Sequence, residues 1–308
     1  MTRRVALIGG GVIGSGWAAS CLARGAEVVV HDPDPDARRR TLLEIERALR
    51  ATNGDVVDWS DRLAFVSSVA EAARGADFVQ ESGPETLDVK AEIVREIDEA
   101  APARVVVASS SSTLMPSTLA GMAPQHPERV VVGHPFNPVH LMPLVEVVAT
   151  PDTAPFAVAA ALDHYTWLGK RPIHLQREVA GHVANRLQAA LWREAYSLVE
   201  SGVASVADID AAVAHGPGLR WALLGPLVNQ HLSGGAGGLA HVLAHLGPPT
   251  QAIMDDLGAP RLTPELVALL VAGVDDELAG IDQDELADAR DLLLRDLLAA
   301  KTGKAVLP

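Results

Sequence analysis

The chain has 308 residues, 48% hydrophobic and 21% charged, which is the composition of a folded globular protein with room for two domains. A formal net charge of −14 argues against nucleic acid or an anionic membrane surface as a partner, so an anionic small substrate needs locally placed cations. A single cysteine, Cys21, excludes an intrachain disulfide, and no apolar run approaches the roughly 20 residues of a membrane span. With no signal-peptide pattern ahead of the first strand, a cytoplasmic protein is expected.

In chain order, an apolar strand at residues 4–8 runs into Gly9-x-Gly11-x-x-Gly14 and then a helical stretch at 14–24. Apolar runs at 26–31, 62–66, 76–80 and 104–108 follow, with helical stretches at 36–51 and 86–100 between them. This alternation predicts a doubly wound α/β sheet, which 129–133, 143–149 and 172–176 extend. From Gly181 the pattern changes: Val183, Leu187, Leu191, Ala195 and Leu198 recur near helical period. Segments 205–214, 226–246, 263–274 and 284–300 also read as helices, separated by Gly and Pro clusters. The expected architecture is a Rossmann-type, mostly parallel sheet over residues 1–178, then an all-helical domain over 179–308.

The glycine motif reads as a dinucleotide entry. Gly9 permits the tight turn, Gly11 lets backbone approach a pyrophosphate, and Gly14 lets the helix pack on its strand, with Val12 and Ile13 completing the turn. The free N–H groups of the helix N-terminus then face the phosphates. Asp32 ends the second strand, where its carboxylate accepts from the adenosine ribose and repels a 2′-phosphate, favouring NAD over NADP. An arginine among Arg38, Arg39 and Arg40 would neutralise Asp32 by folding back, although a solvated helix face is their simpler role.

Oxidising a secondary alcohol requires a base for the hydroxyl proton, and histidine suits that task near neutral pH. In GHPFNPVHLMPLVEVV, His134 follows the strand ERVVVG at the end where open α/β sheets bind ligands. Glu146, in the next apolar run, would fix the imidazole tautomer and stabilise the imidazolium. Taken singly, each also reads as an ordinary strand-end or strand-face residue. Ser112 lies just beyond VVVAS in a run of four serines, with Ser111 as the alternative and Ser110 a candidate for the cofactor. Asn185, early in a long helix, offers a donor and an acceptor, or is simply a helix-end asparagine.

The segments ASSSSTL, GHPFNPVHLMPLVEVV and AGHVANRLQ resemble the signature series of the L-3-hydroxyacyl-CoA dehydrogenase family, and the resemblance covers nearly the whole chain. It implies His134 as base, Glu146 as its orienting carboxylate, and Ser112 and Asn185 around the substrate oxygen and His134. It also implies that Glu85 and Lys90, in PETLDVK, lie near the nicotinamide ribose; otherwise they form a surface helix pair worth about 0.5 kcal/mol or less. Within the family, GPGLRWALLGP, HLSGGAGGLAHVLAHLGP and SSSSTLMPS resemble the branch of L-carnitine dehydrogenases and lambda-crystallin type L-gulonate 3-dehydrogenases. Two departures bear on the pocket: Ala180-Gly181-His182 stands where the family has Pro-Gly-Phe, and Met115-Pro116 differs from the carnitine type.

Arg220 is the candidate clasp for a substrate carboxylate, with an interface role as its alternative. Trp221 is placed either to contact a quaternary ammonium or, more simply, in buried packing. The segment after the second strand is shorter than the projection that cups coenzyme A in the fatty-acid branch, which favours a free acid. The expected function is NAD-dependent interconversion of a small L-3-hydroxy acid, gulonate- or carnitine-like, and its 3-oxo acid. The alternatives are a dehydrogenase or reductase of coenzyme A or carrier-bound substrates, including a biosynthetic tailoring ketoreductase, and a non-catalytic NAD-binding protein of lambda-crystallin type. Family resemblance, with Leu223, Leu224, Leu227, Val228 and Leu232, implies a homodimer. The histidines lack metal-ligand spacing, so no metal is expected.

Overall fold

A computed structural model describes residues 2–53 and 58–304, apart from the side chain of Asn53. The chain divides into two compact units, Met1–Arg186 and Leu187–Pro308. The first contains β1 (Arg4–Ile8), α1 (Val12–Ala23), β2 (Glu27–His31), α2 (Ala37–Asn53), β3 (Leu63–Phe65), α3 (Val69–Ala73) and β4 (Phe78–Glu81). It continues with α4 (Leu87–Ala100), β5 (Val106–Ser109), α5 (Pro116–Ala120), β6 (Val130–Pro135), β7 (Leu144–Val148), α6 (Pro155–Trp167) and β8 (Arg171–Leu175).

The strands form one eight-stranded sheet in the order β3-β2-β1-β4-β5-β6-β7-β8. All neighbours are parallel except β6 and β7, which are antiparallel. The strands alternate with period two between two apolar layers. Val5 and Leu7 point into a core with Trp17 and Leu22 of α1, Ile45 of α2 and Tyr165 of α6. Ala6 and Ile8 point into the opposite core with Ala72 of α3, Ile97 of α4 and Leu119 of α5. Burial on both faces explains why these strands read as continuous apolar runs.

Three helices of this unit escape a reading by periodicity. α3 and α5 have five residues each, and α6, PFAVAAALDHYTW, is apolar on nearly every side, so none shows an amphipathic stripe.

The chain turns outward from β1 in both directions, to β2 and to β4, and the crevice at this switch point is where open α/β sheets bind ligands. Gly9 has φ +102°, and a Cβ there would lie 2.5 Å from the Ser82 carbonyl oxygen after β4. A Cβ on Gly14 would lie 1.9 Å from the Gly9 carbonyl oxygen, so α1 packs onto its own entry turn. Gly14→Ala is therefore expected to destabilise the protein by at least about 2 kcal/mol through overpacking against backbone, and to weaken NADH binding, both readable from denaturation and fluorescence titration.

The second unit is helical: α7 (Ala184–Glu200), which begins at the end of the first unit, is followed by α8 (Val206–Ala214), α9 (Pro217–Leu223) and α10 (Pro226–Ser233). Then come α11 (Gly238–Asp256), α12 (Pro264–Glu277) and α13 (Gln283–Thr302). Ser205 closes a capping box with Asp208, and Thr263 and Asp282 cap α12 and α13. The single helix expected over 226–246 is two helices, because Gly235 and Gly238 adopt φ of 56° and 57° and interrupt it. α11 then runs through Pro248 and Pro249, whose fixed φ is compatible with a helix although each removes a backbone donor. Among the described residues no helix is long and apolar enough to cross a membrane.

Candidate active site

The crevice beside β1 holds a cavity of about 590 Å³ lined by Gly9, Gly11, Asp32, Ser82, Gly83 and Val89, among others. A Cβ added at Gly11 would meet nothing within 4 Å, so the backbone there is open to close approach. Gly11 caps α1 without any side-chain hydrogen bond, which leaves the first N–H groups of the helix for an anion. Val12 is 61% exposed at this entry, and Ile13 packs against the core. These features fit the pyrophosphate and adenosine of a dinucleotide.

Asp32 accepts from the Gly10 N–H at 2.7 Å and the Asp34 N–H at 2.9 Å, which fixes its carboxylate in the cavity wall. Of the following arginines, Arg40 pairs with Asp34 at 2.6 Å and Arg38 lies over the Phe65 ring at 5.4 Å. Neither Arg38 nor Arg40 bonds Asp32. Replacing it with alanine is expected to raise the KM for NAD roughly tenfold, the worth of one charge-assisted hydrogen bond, and to narrow the preference over NADP. Steady-state rates with both cofactors check this.

Beyond the switch point, polar side chains gather at the C-terminal ends of β4 and β5. Glu81, fully buried, accepts from Lys90 Nζ at 2.8 and 3.0 Å, from Ser109 Oγ at 2.6 Å and from the Gly83 N–H at 2.6 Å. Glu85 accepts from Ser111 Oγ at 2.8 Å and from the Ser112 N–H at 2.9 Å. The alternative of a Glu85–Lys90 surface pair is therefore corrected: Lys90 is 1% exposed and bound to Glu81. Glu81 is not among the residues singled out from the sequence, where its one trace is a charged residue closing the apolar strand FVQE. Ser110 Oγ meets Gln80 Nε2 at 2.9 Å, Ser82 Oγ at 2.8 Å and Trp17 Nε1 at 3.2 Å, and Gln80 in turn accepts from the Tyr165 hydroxyl at 2.7 Å.

Because β6 and β7 are antiparallel, His134 and Glu146 stand directly opposite one another in register, which puts both side chains on the same face. His134 Nδ1 lies 2.9 Å from Glu146 Oε2. Glu146 Oε1 accepts from the Val183 and Ala184 N–H groups at 2.9 and 3.0 Å, at the entry to α7. Both oxygens of this buried carboxylate are thus engaged, and a carboxylate opposite Nδ1 places the proton there. Among the described residues no protein group bonds His134 Nε2.

Burial pushes the Glu146 carboxyl upward, but hydrogen bonds from His134, Ala184 and Val183 together outweigh it and hold the group below 4.5. Since the folded value is depressed, ionised Glu146 contributes stability above the unfolded value near 4.5, and this is lost as pH falls through the lower folded value. The urea midpoint should accordingly fall less between pH 6 and pH 3 in Glu146→Gln than in the unmodified protein.

His182 is the site neighbour whose role sequence reasoning missed, although its departure from the family pattern was visible. It is 1% exposed, has φ 52°, and its ring centroid is 5.1 Å from that of His134. Asn185, in the first turn of α7, is partly exposed and makes no side-chain hydrogen bond among the described residues. Ser112 contributes its backbone N–H to Glu85, and its hydroxyl bonds no described residue. Arg220 lies exposed on α9 in the second unit, its guanidinium without a bond to described residues. Trp221 is 43% exposed, which corrects the expectation of buried packing. Among the described residues no group of three His, Cys, Asp or Glu side chains is placed to hold a metal ion.

The 3-hydroxyacyl-CoA dehydrogenase NAD binding domain matches residues 4–179, and the 3-hydroxyacyl-CoA dehydrogenase C-terminal domain matches 181–268. The chain belongs to the 3-hydroxyacyl-CoA dehydrogenase family. It is an NAD-dependent oxidoreductase, its family match leaving the end of α12 and all of α13 outside. This family member is 47% identical over 305 residues to an L-carnitine dehydrogenase of Streptomyces griseus, covering 98% of this chain and 90% of that one. It is 43% identical over 309 residues to a 3-hydroxyacyl-CoA dehydrogenase of Gibberella moniliformis, covering 98% and 96%. Among solved structures, the NAD⁺-dependent 5-formyl-3-hydroxy-2-methylpyridine 4-carboxylic acid 5-dehydrogenase superposes with TM-score 0.80 at 30% identity, covering 98% of each chain.

Proposed function

We propose that this NAD-dependent 3-hydroxy acid dehydrogenase oxidises a small free L-3-hydroxy acid of the carnitine type to its 3-oxo acid, with His134 as general base. The observation that carries the reading is the His134–Glu146 pair, with Nδ1 tied to a buried carboxylate and Nε2 free. As the alcohol O–H breaks, its proton passes to Nε2, and Glu146 stabilises the imidazolium that forms. NAD, when bound, accepts the hydride leaving C3. Ser112 and Asn185 are proposed to bond the substrate oxygen, Glu85 and Lys90 to shape the nicotinamide ribose site, and Ser110 to line the cofactor pocket. We assign cofactor binding to residues 1–178 and substrate binding and dimerisation to 179–308.

The similarity to L-carnitine dehydrogenases supports a free acid, and Arg220, with an unbonded guanidinium, is the proposed clasp for its carboxylate. L-gulonate is the other small acid of this class. A homodimer in the cytoplasm completes the proposal; Leu227 and Leu232 are 68% and 61% exposed, as a surface awaiting a partner would be. A second reading, a thioester substrate on coenzyme A or a carrier, is favoured by the Gibberella relative's name. A non-catalytic NAD-binding role is disfavoured by the intact dyad.

The test is NADH formation by purified protein with L-carnitine, L-gulonate, L-3-hydroxybutyrate and L-3-hydroxybutyryl-CoA, repeated with NADP. Preference for L-carnitine or another free acid supports the proposal, preference for the thioester replaces it with the second reading, and absence of turnover with NADH still bound brings back the non-catalytic role.

A further inference from the structure

Four observations converge on His182. It takes a left-handed backbone conformation, φ 52°, and is the only non-glycine residue with positive φ among the described residues. Its ring is 1% exposed, tilted 48° to the His134 ring at a centroid distance of 5.1 Å. Its Nε2 lies 3.3 Å from the Ser111 carbonyl oxygen, an acceptor only, so Nε2 carries the proton. Nδ1 is then a lone pair, and it is buried without a hydrogen-bond partner among the described residues. A strained residue with an orphaned polar atom beside the dyad is not what packing alone would retain.

The surroundings say what it does. The two residues after His182 donate their N–H groups to Glu146, and the Ser111 it bonds is itself tied to Glu85. His182 therefore joins the entry of α7, which holds Glu146, to the serine segment after β5, with the tilted His134 ring beside it. The charged or titratable groups around it are His134 from β6, Glu146 from β7 and Glu85 from the segment before α4. Burial, opposed by the Ser111 carbonyl but reinforced by His134, holds its pKa below the ordinary 6.5, so the ring stays neutral where its neighbour works.

We propose that His182 is a positioning residue: a neutral imidazole, locked as the Nε2–H tautomer, that holds His134 in its bond to Glu146 and leaves the incoming alcohol proton to His134. This rests on His134 being the base. It does not depend on which acid is oxidised.

The experiment compares His182→Gly, which relieves the backbone and removes the ring, with His182→Gln, whose amide nitrogen keeps a donor at the position of Nε2 for the Ser111 carbonyl. Proton NMR of the full chain follows the low-field Nδ1–H signal of His134 without any substrate, and kinetics use L-carnitine or whichever panel acid the unmodified enzyme oxidises. In His182→Gly the low-field signal should broaden away and kcat fall about 100-fold, the cost of a small misplacement of a reacting group, with NADH affinity within about threefold. His182→Gln should recover the signal and part of kcat, and nitrogen NMR of the unmodified protein should find His182 as neutral Nε2–H throughout the active pH range. Retention of both signal and kcat in the glycine variant would overturn the proposal, as would equal loss of melting temperature, NADH affinity and kcat in both variants. If the unmodified enzyme oxidises no panel acid, the functional reading fails while the signal still decides the role of His182.

Discussion

His134→Ala is expected to lower kcat by about 10⁴-fold, the upper end of what one general base contributes. NADH affinity should remain within about threefold, because the cofactor cavity beside β1 is built from other residues. His134 is 5% exposed at the end of β6 and has one partner for its ring nitrogens among the described residues, so its removal leaves one oxygen of Glu146 without that bond but keeps the Val183 and Ala184 bonds. Stopped-flow turnover and fluorescence titration of NADH separate the two effects. Turnover that survives within tenfold removes His134 as base.

Glu146→Gln is expected to cost nearly as much with less change of shape, about 10³- to 10⁴-fold in kcat, the scale seen when a carboxylate that sets a histidine tautomer becomes an amide. The reason lies in the two oxygens. Oε1 faces two backbone N–H donors, so the amide oxygen must stay there and the amide NH₂ must turn toward His134. Nδ1 then has to accept, the ring proton moves to Nε2, and the base is blocked. KM should change little, since the variant loses transition-state stabilisation rather than binding. An unchanged kcat would mean that the proton does not pass through this pair.

The entry motif and the His134–Glu146 contact were legible because each is a local pattern with a chemical reason. The three glycines sit between a strand and a helix, and His134 and Glu146 flank a turn, as an antiparallel return requires. Glu81 and His182 were not legible as site members. Glu81 depends on Lys90 arriving from the next helix and Ser109 from the next strand, which are contacts of tertiary structure. The importance of His182 rests on a backbone angle and an unpaired nitrogen, neither visible in letters. Among the helices, α6 was missed because Ala and aromatic residues surround it, and the break after α10 was missed because the glycines near 235 outweigh the apolar period around them. Conversely, Pro248 and Pro249 suggested an end that the helix does not have.

The most direct measurement is the fate of the C3 hydrogen: L-carnitine deuterated at C3 is incubated with NAD and the enzyme, and the nicotinamide is read by NMR. Deuterium is expected at C4 of NADH, in stoichiometry with the 3-oxo acid, and is expected to be lost in His134→Ala. NADH without deuterium, or no oxidation of L-carnitine at all while the coenzyme A ester is turned over, would contradict it.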